Sequence, residues 1–190
     1  MDEAVLRAAV SALVDGRRHP IAHAVETIPD LAGLYAVYGD VEARNMLAVG
    51  SPDVPLYVGK AERSLASRDV HTHFATGRTG SSTLRRSMAA LLRSELDLHA
   101  VPRNLARPDG SANYSLEPDG DRRLTDWMRA RLQLAFWVRP DGVVLDQVET
   151  AVLNRLAPPL NLAKMGPRGR WRVKAERAVL VAESRAWRQA

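Results

Sequence analysis

Hydrophobic positions along the chain change period several times, and each change marks an element. Val5, Leu6, Ala9, Val10 and Leu13 recur at helical spacing between Asp2 and Gly16, which predicts a helix over residues 2–15. Leu34, Ala36 and Tyr38 alternate with Tyr35 and Val37, the period of a strand. Residues 45–49 read as the start of another strand, with 50–53 as its turn. Leu56-Tyr57-Val58 is a further short strand, and Gly59 lets the backbone leave it where a Cβ would obstruct. Residues 64–74 read as a helix carrying Arg68, His71 and His73. Ser81 or Ser82 caps the next helix, whose apolar face is Leu84, Met88, Leu91 and Leu92. The stretch 102–123, rich in proline and glycine, reads as a loop excursion. A short helix over 124–131 follows, capped by Thr125, and then an alternating strand over 132–138. Leu145, Val148, Val152 and Leu156 are the buried stripe of a helix over 144–156, which Pro158-Pro159 stops. In the tail from 164 onward Trp171, Val173, Ala178, Val181 and Trp187 are interleaved with arginines, as in a terminal helix with a basic outer face.

Composition narrows the picture. A chain of 190 residues, 46% hydrophobic, is most simply one domain with additions. A net charge of +5 and a pI near 10.1 suit a polyanionic partner. The absence of cysteine excludes disulfides, thiolate metal sites and thiol catalysis, and is compatible with a reducing cytoplasm, the expected location. Asp2 and Glu3 stand where a signal peptide carries positive charge, and no apolar run approaches the ~20 residues of a membrane span, so no membrane partner is expected. Residues 75–80 hold two glycines but lack the Gly-Lys-Ser/Thr ending of a P-loop. His19 and His23 have no further ligand types nearby and read as a solvated loop.

The chemistry-bearing residues fall in a telling order: Gly33-Leu34-Tyr35, Tyr57-Val58-Gly59, Arg68, His71 or His73, Glu149 and Asn161. This resembles the GIY-YIG nuclease superfamily, with Leu and Val replacing the two isoleucines of the pattern. The tyrosines lie further apart than in minimal members, which implies a larger loop in the first hairpin. Pro158-Pro159-Leu160-Asn161 is similar to the family's ending, and the resemblance covers residues 29–161. It implies an α/β (α+β) fold: a small, mainly antiparallel three-stranded sheet flanked by helices, with added N- and C-terminal helices. The expected organisation is an N-terminal helical extension (1–28), a nuclease-like domain (29–163) and a basic C-terminal helix packed on it (164–190).

The resemblance also implies metal-dependent hydrolysis of DNA phosphodiesters. One carboxylate, Glu149, with waters completing the shell, suits Mg²⁺ or Mn²⁺ better than Zn²⁺. The competing reading of Glu149 is a helix N-terminal capping box with Asp146. Tyr57 is implied as general base, and since a free phenol titrates near 10 it needs help from Lys60 or the metal's field. Tyr35 lines the same pocket, and the two tyrosines could exchange roles. Arg68 clamps the scissile phosphate with its planar fork. His73, before an aromatic residue, is the first choice to donate to phosphate or shuttle a proton, with His71 kept open. Asn161 fixes the metal-site loop or bonds a phosphate neighbour; its plain reading is a post-helix turn residue. Arg78, Arg85 and Arg86 beside a helix N-terminus suit a backbone phosphate, and Arg168, Arg170 and Arg172 a DNA-contacting tail. DNA is the expected partner, and oligomeric state is open between monomer and homodimer. A catalytically silent nucleic-acid-binding module and a protein-interaction scaffold are the two competing functions.

Overall fold

The fold comes from a computed structural model that describes residues 2–24, 27–51, 53–68, 72–164 and 170–187, with residues 24, 67, 68 and 109 described by backbone alone. In chain order the elements are α1 (Glu3–Val14), β1 (His19–Pro20), α2 (Ile21–Ala24), β2 (Gly33–Gly39), α3 (Val41–Leu47), β3 (Tyr57–Ala61), α4 (Leu65–Arg68) and α5 (Thr83–Leu91). They continue with β4 (Ala100–Pro102), β5 (Tyr114–Leu116), α6 (Pro118–Arg131), β6 (Leu132–Val138), α7 (Leu145–Leu156) and α8 (Trp171–Ala186).

The main sheet is antiparallel throughout, in the order β1-β6-β2-β3. The expected three strands are its body, and the two-residue β1 adds a fourth at one edge, so the N-terminal region shares the sheet of the domain it precedes. The alternation along β2 sorts its side chains onto two faces. Tyr35 and Val37 enter a core built with α5, α6 and α8, whereas Leu34, Ala36 and Tyr38 join Val58 in a second core under α1 and α7. Helix α1 is capped by Asp2, whose carboxylate accepts from the Ala4 N–H at 2.8 Å. It seals the second core with Ala9 and Leu13, and the Leu13 carbonyl accepts the buried Tyr38 hydroxyl at 2.9 Å. His19 and His23 lie on β1 and α2, and His19 stacks on Phe136.

Four expected elements change form. Residues 45–49 lie in and just after α3, not in a strand, because Asp40 caps the Ala43 N–H at 2.7 Å and starts a helix that Ala48 ends in the left-handed conformation. Of the helix expected over 64–74, α4 covers residues 65–68 and residues 72–73 lie in a π-helical turn, while 69–71 lie outside the described residues. The loop expected over 102–123 contains the end of β4, all of β5 and the first six residues of α6, which begins with Pro118 at its first position. Thr125, expected as a cap, is buried inside α6 and donates to the Asp121 carbonyl. None of the helices in the described residues is long and apolar enough to cross a membrane.

Candidate active site

Strand β3 is the free edge of the sheet, and the site forms around that edge. Tyr35 on β2 stands directly opposite Gly59 on β3, and Val37 opposite Tyr57, so both tyrosines leave the same face as diagonal neighbours. Their ring centroids are 6.2 Å apart. Tyr35 is buried and its ring lies over Gly59: a Cβ there would sit 2.2 Å from the Tyr35 Oη and 2.4 Å from its Cζ. The glycine of the second motif therefore makes room for the tyrosine of the first. Gly33 serves its own strand in a similar way, since a Cβ there would meet the Trp137 carbonyl oxygen at 2.2 Å.

Helix α7 covers the opposite face, on which Lys60 lies, and its Glu149 comes round to the same edge. Tyr35, Tyr57, Gly59, Lys60, Arg63 and Glu149 together line a cleft of about 570 Å³. Neither Asp146 nor Glu149 caps α7: Val144 occupies the cap position without a side-chain bond, and the capping-box reading gives way to ion pairs. Lys60 Nζ reaches Asp146 at 2.8 Å and Glu62 at 2.7 Å. Lys164 Nζ reaches Asp146 at 2.6 Å and Glu149 at 2.8 Å. Hydrogen bonds from Lys164 and then Lys60 pull the Asp146 carboxyl down to about 2, and those from Asp146 and Glu62 raise the Lys60 ammonium above its usual range.

Behind the tyrosines stands His73, 1% exposed. Its Nε2 meets the Tyr35 Oη at 2.6 Å and its Nδ1 meets the Ser82 Oγ at 2.7 Å. Ser82 also caps α5, accepting the Arg85 N–H at 3.1 Å. The bonded chain thus runs from a helix N-terminus through serine and imidazole to a phenol. Two proton arrangements satisfy it: either Tyr35 donates to Nε2 while Nδ1–H donates to Ser82, or Ser82 donates to Nδ1 while Nε2–H donates to Tyr35. Arg68 ends α4, but its side chain, like all of His71, lies outside the described residues.

Asn161 acts on the outer edge of β3. Its Oδ1 accepts the Val58 N–H at 2.9 Å, and its Nδ2 donates to the Val58 carbonyl at 2.7 Å. One amide side chain thus replaces a neighbouring strand residue beside Tyr57 and Gly59. Arg170 pins the loop that carries it, donating from Nε to the Asn161 carbonyl at 2.6 Å.

The arginines expected to meet phosphate divide sharply. Arg85 is 0% exposed and gives its guanidinium to Asp121, Thr79, Thr125 and the His73 carbonyl. Burial lowers its pKa, against the pull of Asp121. Arg86 is also buried, donates to the Thr79 and Gly80 carbonyls, and is drawn down to about 10 mainly by burial. Arg170 is buried in the loop contact just described. These three brace the scaffold and offer no surface to a nucleic acid. Arg172 is half-buried and caps the end of α3 through the Leu47 and Ala48 carbonyls. Arg78 is exposed, and Arg168 lies outside the described residues.

Nothing in the sequence marks Ser82 as the partner of His73, or Asp146 and Lys164 as partners at the cleft. Ser82 carried a capping signal only, and Lys164 had no motif around it. Among the described residues no cluster of three or more histidine or carboxylate side chains is ready for a metal. Two of the described carboxylates line the cleft, Glu62, which pairs with Lys60, and Glu149, 12% exposed; Glu149 offers a carboxylate to a hard cation that keeps most of its waters, which fits Mg²⁺ or Mn²⁺ and not a closed Zn²⁺ site.

A family model described as the GIY-YIG catalytic domain matches residues 42–168, about two thirds of the chain. The match begins just after β2, so it holds Tyr57, Glu149 and Asn161 but not Tyr35. No curated protein and no solved structure matches the chain.

Proposed function

The chain belongs to the GIY-YIG family of nuclease catalytic domains, and from that premise we propose that it is a divalent-metal-dependent endonuclease hydrolysing DNA phosphodiester bonds at the cleft around the free edge of β3. One observation carries this reading: Tyr35 and Tyr57 from one face of the sheet and Glu149 from the other line a single cleft.

Hydrolysis needs an activated water, charge stabilisation on the phosphoryl oxygens and a protonated leaving oxygen. The hydroxyl of Tyr35 abuts the buried imidazole of His73, and in the arrangement where Tyr35 donates to Nε2 that ring is the proton acceptor a phenol titrating near 10 requires. That contact favours Tyr35 as the base and Tyr57 as the residue orienting water or phosphate, the reverse of the assignment the sequence favoured. Glu149 would hold Mg²⁺ or Mn²⁺, which when bound polarises the phosphoryl oxygen and offsets charge on the leaving oxygen. Arg68, at the end of α4, is assigned the phosphate clamp. Lys60 stays protonated at the rim beside Asp146 and Glu62. Arg63 at the cleft wall adds positive charge where the DNA backbone would run, and exposed Arg78 stays available to a phosphate.

The test is incubation of the purified protein with supercoiled, linear, branched and single-stranded DNA across a metal series. Nicking that requires Mg²⁺ or Mn²⁺ and is lost in Arg68→Ala is the expected result. DNA retained on a gel but never cut with any metal would establish the silent binding module, and no salt-sensitive DNA binding at all would establish the scaffold.

A further inference from the structure

The cleft rim carries a cation that the reaction above does not use. Lys164 follows Asn161 by three positions and holds a left-handed φ of 59°, which only a minority of non-glycine residues adopt. Its ammonium donates to Asp146 Oδ1 at 2.6 Å, Glu149 Oε2 at 2.8 Å and Thr150 Oγ1 at 3.3 Å. These three acceptors follow one another at i, i+3 and i+4 along a single face of α7. The root of Lys164 is held near that face, because Asn161 is bonded to Val58 and clasped by Arg170.

We propose that Lys164 is a positioning residue: a tethered cation that occupies Glu149 in the absence of metal, so that loading the metal and releasing Lys164 from Glu149 are one event. This rests on the reading of Glu149 as the metal ligand. A divalent ion lies roughly 2.0–2.1 Å from its carboxylate oxygen, and an ammonium 2.8 Å from the same oxygen would face it at close range with like charge. Like-charge repulsion across the one carboxylate drives Lys164 off, and it has somewhere to go. Asp146 already accepts from it at the shorter distance and stays ionised over a wide pH range. Asp146 Oδ1 also accepts from Lys60, so one exposed carboxylate gathers both rim lysines and keeps them at the cleft after Glu149 is taken. Until then Lys164 holds the Glu149 carboxylate in place and offsets its charge.

The test measures Mn²⁺ binding without DNA, by the electron paramagnetic resonance signal of the free ion, on the full chain and its Lys164→Met, Lys164→Arg and Glu149→Gln variants, with circular dichroism to verify the fold. Lys164 is about a third exposed, so its replacement leaves the core alone. Lys164→Met is expected to bind Mn²⁺ roughly two- to fivefold tighter, the range set by removing one partly exposed ion pair. Lys164→Arg restores the wild-type constant, and Glu149→Gln loses binding. Unchanged or weaker binding in Lys164→Met, with binding still lost in Glu149→Gln, overturns the competition and leaves the metal reading standing. Wild-type binding in Glu149→Gln overturns the metal reading and this inference with it.

Discussion

Replacing Gly59 by alanine is a sharp test of how the two motifs depend on each other. The new methyl would sit 2.2 Å from the Tyr35 hydroxyl oxygen and 2.9 Å from Cε1, where ordinary contact begins at 3.4 Å. The phenol must therefore move by about 1.2 Å, or the strands must part by as much. Tyr35 is buried and bonded to His73 at 2.6 Å, so a movement of that size strips the hydroxyl of its partner. A displacement of about 1 Å at a reacting group costs on the order of 100-fold in rate. Overpacking a buried site costs about 1–3 kcal/mol, or roughly 2–12 °C in Tm for a chain of this size. Single-turnover nicking of supercoiled plasmid, paired with thermal unfolding, separates the two effects: the Gly59→Ala protein should melt cooperatively and cut about 100-fold more slowly. Adding Gly59→Ala to Tyr35→Phe should cost little further activity, because the hydroxyl whose displacement slows cutting is already gone, while the ring, whose Cζ lies 2.4 Å from the new methyl, still shifts and lowers stability. A Gly59→Ala enzyme cutting at the wild-type rate would refute the reasoning, as would full additivity in the double variant.

Other consequences follow from the scaffold. Asp121→Ala leaves the Arg85 guanidinium buried without its carboxylate, a loss of about 3–5 kcal/mol that thermal denaturation would register as a fall of roughly 6–20 °C. Asn161→Ala strands the buried Val58 N–H and carbonyl, and amide hydrogen exchange at Val58 should accelerate along β3 while β6 stays protected. His99 sits between Glu183 on α8 and Asp97, and its pKa is raised, first by the Glu183 bond. Its contribution is therefore fully present below pH 6.5 and fades as pH rises through the raised folded-state value; for so exposed a pair it stays under about 1 kcal/mol. The pH dependence of Tm should flatten in His99→Gln, and an unaltered profile would contradict the assignment.

Much of this architecture was readable where a single local rule governs. The alternation of Leu34, Ala36 and Tyr38, the strand from Leu132 to Val138 and the apolar stripe of α7 each survive intact, because the period of each element sends its side chains to fixed faces, on β2 to two different cores. Glu149, Tyr35 and Tyr57 could be named because their order in the chain is a pattern in itself. The misreadings come from contacts that no local window contains. Apolar Met46, Leu47 and Val49 suggested a strand, but Asp40 six residues before Met46 begins a helix, and Met46 then packs under Trp127. Arg85 looks like a surface residue beside an apolar stripe until Asp121, 36 residues on, arrives to pair with it. Asn161 and Val58 are separated by 103 residues, and nothing between them announces the bond. Strands β4 and β5, three residues each, are too short to show a period.

The central claim is that one carboxylate and two phenols, reaching the edge of β3 from opposite faces, form a metal-dependent phosphodiesterase. The most direct measurement is the single-turnover rate of plasmid nicking in a Mg²⁺ titration by wild-type protein and by Glu149→Ala, with fold verified by circular dichroism. The account predicts saturable, Mg²⁺-dependent cutting by the wild type and none by the folded variant; a folded Glu149→Ala protein that cuts at the wild-type rate would contradict it.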